Sequence, residues 1–256
     1  MISNNKKLKE KEKQWSVEGL DALIFDLDGV ITKTAVIHMK AWEQMFDSYL
    51  RKYRKHSGKD IKPYDEKQDY YQYIDGKPRY DGVQSLLESR DIHIPFGNPE
   101  DDPDEDTICG LGNNKNRIFL KLLKQDGVHV FKDTIDKIKQ WRKKGLKTAV
   151  ISSSKNCKAV LETAEIDHLF DTRVDGVVSE KQKIPGKPAP DIFLYAAKQL
   201  HAIPSSSAIF EDAIAGVQAG SDGNFKFVVG VARHGTGQEL YNNGANLVIH
   251  NFDELQ

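Results

Sequence analysis

From residue 126 onward, short apolar runs alternate with stretches of helical periodicity, and this alternation limits the fold more than any other feature. Residues 146–151, 174–178, 208–210, 227–231 and 247–249 read as buried strands. Ile135, Ile138 and Trp141 before Gly145, then Val160, Leu161 and Ala164, then Phe193, Ala196, Ala197 and Leu200, then residues 213–219, read as helices. Repeated strand–helix–strand units imply parallel strands with crossover helices, so the expected fold is α/β, a doubly wound, Rossmann-like parallel sheet. Ligands bind such sheets beyond the carboxyl ends of the strands.

An earlier apolar run, residues 20–24, ends in Phe25-Asp26-Leu27-Asp28-Gly29-Val30-Ile31-Thr32. In an extended backbone residues two apart point the same way, so Asp26 and Asp28 approach one site. Gly29 lets the chain turn away without a side chain. Two such carboxylates need a cation between them or a proton on one of them. Either arrangement suits phosphoryl chemistry, one Asp as nucleophile and the other carrying a proton. By itself the motif is also an ordinary acidic turn. A calcium loop fails, because its later ligand positions fall on Val30 and Ile37.

Three further pieces fall at other strand ends. Ser152, in Ile151-Ser152-Ser153-Ser154-Lys155-Asn156, offers a hydroxyl before a helix start, a place that suits phosphate and equally suits a simple N-cap. Lys187 lies in Gly186-Lys187-Pro188-Ala189-Pro190-Asp191, where two prolines stiffen the loop; in isolation it reads as an exposed lysine. Glu211 and Asp212 form another acidic pair after residues 208–210, which also reads as a helix start favouring negative charge.

In this order the four motifs resemble the haloacid dehalogenase-like phosphotransferase superfamily, and within it the β-phosphoglucomutase branch, from about Leu20 to the end of the chain. Asp28-Gly29-Val30-Ile31-Thr32, His38 with Ala41-Trp42, and the serine and lysine motifs look like that branch, whereas Lys33 stands where the branch commonly has an acidic residue. The resemblance implies Asp26 as nucleophile and Asp28 as general acid/base. It also implies Mg²⁺ held by Asp26, the Asp28 main chain, Glu211 and Asp212. Ser152 and Lys187 would hold the transferring phosphoryl group, and Arg79, Ser154, Lys155 and Asn156 a second, distal phosphate. Gly29, Thr34, His38 and Lys115 match further substrate-binding positions. The implied reaction converts β-glucose 1-phosphate to glucose 6-phosphate through the bisphosphate, downstream of a disaccharide phosphorylase. A sugar-phosphate phosphatase and a silent sugar-phosphate-binding regulator are the other readings.

Between the first strand and the second half the pattern is helical. Met39, Trp42, Phe46, Tyr49 and Leu50 make one apolar stripe. Helices over residues 82–90 and about 114–124 follow, and the acidic loop 98–106 reads as a solvated connection. The expected division is a tail (1–17), a core (18–36 and 126–256) and a helical cap (37–125). Residues 51–73 receive no functional assignment. With 39% hydrophobic and 29% charged residues and a net charge of −1, the composition suggests a soluble globule without pull toward nucleic acid or membrane. No run approaches the roughly 20 apolar residues of a membrane span, and no secretory signal is apparent. Two widely spaced cysteines suggest reduced thiols and a cytoplasmic setting. A monomer is expected, with a small sugar phosphate as its partner.

Overall fold

Six short strands make one sheet in the computed structural model, which describes residues 14–74 and 77–255. They are β1 (Ala22–Asp26), β2 (Lys147–Ile151), β3 (Thr172–Val174), β4 (Ser207–Glu211), β5 (Phe227–Val231) and β6 (Leu247–Ile249). Helices α1 (Ala35–Ser57), α2 (Arg79–Glu88), α3 (Ile108–Asp126) and α4 (Lys132–Lys143) separate β1 from β2. Then come α5 (Cys157–Thr163), α6 (Gly176–Gln182), α7 (Asp191–Gln199), α8 (Ile214–Asp222) and α9 (Gln238–Asn242). The spatial order is β3-β2-β1-β4-β5-β6, and every neighbouring pair is parallel. The order reverses between β1 and β4, and such a reversal leaves a crevice outside the carboxyl ends of those two strands.

Side-chain alternation divides β1 between the two faces of the sheet. Ala22 and Ile24 join Ala149, Ile151 and Ile209 in a cluster closed by Phe193, Ala196 and Ala197 of α7 and Val217 and Ala219 of α8. Phe25 points the other way and stacks on Phe210, centroids 4.6 Å apart and planes 7° from parallel. Trp141 and Phe252 complete that layer, 5.5 and 5.1 Å from Phe210. Offset aromatic stacking adds about 0.5–1.5 kcal/mol per pair beyond burial.

The chain divides into two units, one of the residues through Lys33 together with Val128–Gln256, the other Thr34–Gly127. The second unit holds α1, α2 and α3 around a core of Trp42, Met45, Phe46, Leu50, Val83, Leu86 and Leu87. Thr107 caps α3 by accepting the Gly110 N–H at 2.9 Å. The 51–73 stretch also belongs to this unit: Ile61 and Tyr64 are buried in its core, and Asp69 pairs with Arg90, both nearly fully enclosed.

Several expectations need correction. Residues 174–178 are not a strand: β3 ends at Val174 and α6 begins at Gly176. The Asp175 carboxylate accepts the Val177 and Val178 N–H groups, so a cap overrides the β preference of the paired valines. The helix expected from about 114 starts at Ile108, because Gly110 and Gly112 blur its apolar period. Trp15, within the expected tail, packs on Trp141, Phe210 and Phe227 at 5.6, 5.7 and 5.0 Å, covering apolar rings that the sheet leaves open. Residues 1–13 of that expected tail lie outside the described residues.

Candidate active site

The alternation that buries Ala22 and Ile24 carries Asp26 to the same side at the end of β1. Ile24 pairs with Ile209, so Glu211, two residues on, reaches that side too. The segment entering α7 delivers Lys187 between them. Its ammonium donates to Asp26 Oδ1 at 2.6 Å and to Glu211 Oε2 at 2.7 Å, and lies 5.4 Å from the Phe193 ring centre. Asp26 is 7% exposed and Glu211 1%.

Asp212 completes the group. One oxygen each from Asp26, Glu211 and Asp212 lie within 4.8 Å of one another, and oxygen donors are what a hard divalent cation takes. Gly29 makes room: a Cβ there would stand 1.9 Å from an Asp212 carboxylate oxygen, and its φ of +83° disfavours any side chain. Gly216 does the same for Glu211, whose Cδ would lie 2.0 Å from an added Cβ.

The electrostatics fit a cation. Burial raises the Glu211 carboxyl above its ordinary value, and the Asp26 charge raises it further against the opposing pull of Lys187. Asp212 is raised in the same way, first by the protein packed around its carboxyl and then by Glu211 and Asp26, although the residue keeps an exposed side. Burial works against the Lys187 charge, but Asp26 and Glu211 outweigh it and the ammonium persists. One lysine therefore faces three acidic groups, a surplus that a divalent ion relieves.

Ser152 follows β2 and is 2% exposed. Its hydroxyl oxygen accepts the Ser154 N–H at 3.1 Å, and the Ser154 hydroxyl oxygen accepts the Asn156 N–H at 3.1 Å. Both serines thus order their own loop and keep hydroxyl protons to donate. Lys155 is engaged in an exposed ion pair with Glu180 at 2.8 Å. Asn156 caps α5 by position without a side-chain cap bond. Asp28 and Gly29 lie on the turn after β1, where the Gly29 N–H donates to the Thr32 carbonyl at 2.8 Å.

The remaining sequence candidates lie in the Thr34–Gly127 unit. Thr34 is fully buried at the head of α1. His38 stacks on Phe119 at 4.2 Å, and its Nδ1 is 2.6 Å from the Lys115 ammonium. Lys115 is 4% exposed and sits within α3, 5.0 Å from the Trp42 ring centre. An ammonium only donates, so Nδ1 accepts and the imidazole proton sits on Nε2. Burial, then Lys115 and Arg79, hold His38 well below its ordinary pKa. Arg79 donates to Asn113 Oδ1 at 3.4 Å and, among the described residues, has no carboxylate partner.

Asn113 escaped the sequence reading. Its side-chain oxygen also accepts from the Tyr80 hydroxyl at 3.0 Å, and its amide donates to the Pro99 and Asp101 carbonyls, tying the acidic loop to α3. Its place in Gly112-Asn113-Asn114-Lys115 was the available signal. Lys33 lies 5.1 Å from the Phe131 ring centre. Both cysteines are free and buried, and among the described residues no helix is long and apolar enough to cross a membrane.

Residues 20–224 match the model of the haloacid dehalogenase-like hydrolase family. A β-phosphoglucomutase of Mycobacterium bovis is 46% identical over 241 residues, covering 93% of this chain and 92% of that one. A phosphorylated carbohydrates phosphatase of Thermotoga maritima is 28% identical over 90% of this chain and 94% of its own length. The crystal structure of a β-phosphoglucomutase from Clostridium difficile superposes with a TM-score of 0.70 at 28% identity, covering 93% of each chain. The chain belongs to the haloacid dehalogenase-like hydrolase family.

Proposed function

We propose that this enzyme is a Mg²⁺-dependent phosphomutase that interconverts β-glucose 1-phosphate and glucose 6-phosphate through the 1,6-bisphosphate. The observation that carries the reading is the meeting of Asp26, Lys187 and Glu211 at strand ends, beside Asp212. Asp26, Glu211, Asp212 and the Asp28 main chain would hold Mg²⁺, which supplies charge neutralisation and alignment of the phosphoryl group. An Asp26 carboxylate oxygen attacks phosphorus, the phosphorus–sugar oxygen bond breaks, and Asp28 gives its proton to the departing oxygen. In the return step Asp28 takes a proton from the other hydroxyl as that oxygen attacks the aspartyl phosphate. Lys187 and Ser152 donate to the transferring phosphoryl oxygens, the positions where charge gathers.

A mutase must also hold the distal phosphate and keep water from the aspartyl phosphate. We assign that grip to Arg79 with Ser154, Lys155 and Asn156, and further substrate contacts to Gly29, Thr34, His38 and Lys115. Support comes from Arg79 itself, a half-buried guanidinium whose donor fork meets an amide oxygen, in contrast to the Asp69–Arg90 pair of the same unit. The second reading, a sugar-phosphate phosphatase, is favoured by the T. maritima relative. One assay separates the two. Purified protein, Mg²⁺, β-glucose 1-phosphate and a trace of bisphosphate are followed for glucose 6-phosphate and free phosphate together. Isomer formation with little phosphate release supports the mutase; stoichiometric phosphate without isomer overturns it.

A further inference from the structure

The turn that carries Asp28 is closed from within. The Leu27 carbonyl accepts the Ile31 and Thr32 N–H groups, each at 2.9 Å, and the Thr32 hydroxyl at 3.2 Å. Val30, at the crown, sends its carbonyl outward. There it accepts from Thr134 Oγ1 at 2.9 Å and from Arg233 Nη2 at 3.3 Å. Arg233 stands just past the end of β5, and its side chain is 10% exposed. The same Nη2 donates to Thr134 Oγ1 at 2.5 Å, and Nη1 donates to Asp133 at 2.6 Å. Asp133 is fixed in turn by the Phe252 N–H at 2.8 Å. The guanidinium carbon lies 4.0 Å from the Phe131 ring centre, and the Phe131 N–H donates to the Ile31 carbonyl at 2.9 Å.

A surface ion pair made only for stability would need Asp133 and nothing more. Here one planar fork reaches a carboxylate, a hydroxyl and a main-chain carbonyl at once, a geometry that a lysine cannot reproduce. Two of the anchored carbonyls, Val30 and Ile31, belong to the turn that begins beside Asp28.

We propose that Arg233 is a positioning residue for the phosphoryl-transfer reaction: with Thr134 it fixes the turn of residues 27–31, and so the approach of Asp28 to the leaving-group oxygen. This inference rests on the roles proposed above for Asp26 and Asp28. As the Asp26–phosphorus bond forms and the ester bond breaks, an alkoxide leaving group needs the Asp28 proton. A nitrophenolate departs without one. Misplacing Asp28 therefore harms alkyl phosphates more than aryl phosphates.

The test uses the full chain with Mg²⁺ and compares β-glucose 1-phosphate, a simple alkyl phosphate and p-nitrophenyl phosphate. Arg233→Lys keeps a charge beside Asp133, and Thr134→Val keeps shape while removing the hydroxyl. Each is expected to lower the ratio of alkyl- to aryl-phosphate turnover by roughly five- to tenfold, the loss of one well-placed hydrogen bond. Placed in an Asp28→Asn background, Arg233→Lys should leave that ratio where Asp28→Asn alone puts it. Equal losses on the alkyl and aryl substrates, or an unaltered ratio, would overturn the proposal and reduce Arg233 to a fold-stabilising residue. Wild-type protein inactive on β-glucose 1-phosphate but active on the alkyl phosphate would count against the proposed isomerisation alone, since the ratio still reads Arg233.

Discussion

Two largely enclosed lysines, one in each unit, keep opposite electrostatic company. Lys187 of the α/β unit bridges Asp26 and Glu211, whereas Lys115 of the helical unit donates to a neutral imidazole and lies near the faces of Trp42 and Phe119. Around Lys187 acid is in excess, and burial together with that crowding raises the carboxyls of Glu211 and Asp212. Around His38 base prevails: burial, Lys115 and Arg79 together suppress its protonation. In electrostatic terms the first group favours a cation and the second an anion.

The largest effect should come from the acidic group. Asp26→Asn removes the proposed nucleophile and one of the charges crowding Glu211, so turnover should fall below detection while the circular dichroism spectrum stays native. Substantial activity in that variant would break the assignment of the nucleophile to β1.

Asp28→Asn keeps shape but cannot titrate. A loss of about 10²–10⁴-fold in rate is expected from general acid–base work. Calorimetry should show Mg²⁺ affinity little altered, because only the Asp28 main chain is assigned to the metal; a collapse of metal binding would make its side chain a ligand.

Arg79→Ala tests the basic side of the comparison. A charge-assisted bond is worth roughly 1.5–3 kcal/mol, so isomerisation should slow on the order of 10–150-fold. Hydrolysis of a small phosphate that has no second phosphate to hold should fall far less. Equal losses in both reactions, or none in either, would move the phosphatase reading ahead.

The smallest effect is a pH slope. His38 titrates well below its ordinary value when folded, but near 6.5 in the unfolded chain. Between those two values the unfolded state binds the extra proton, so stability falls as pH drops below about 6.5, by at most about 1.4 kcal/mol per pH unit. Urea midpoints between pH 5 and 8 should show this slope in the wild type and a flatter one in His38→Asn. Identical slopes would mean that His38 is not held neutral.

Much of the fold was legible because periodicity is a property of the chain itself. The alternation of apolar runs and helical stripes announced the parallel sheet, and β2, β4, β5 and β6 fall on apolar runs visible in the sequence. The reading failed where short-range capping outweighed composition. Val177 and Val178 read as strand until the Asp175 carboxylate captures their N–H groups, and α3 opens on glycines whose missing side chains hide its period.

What the sequence determined by itself is the set of acidic and basic groups at strand ends, and the two-residue repeat that decides which side chains of a strand share a face. That repeat is local, a property of an extended backbone, and a linear reading captures it. Only the tertiary structure decided which groups meet. Lys187 reaches Asp26 across 161 positions of chain, and Arg233 reaches Val30 across 203. Strand order places β4 beside β1, and the bare backbone of Gly29 lets Asp212 close on the turn. Those distances depend on how the elements pack against one another, and close packing is a property of the folded whole that no stretch of the chain carries alone.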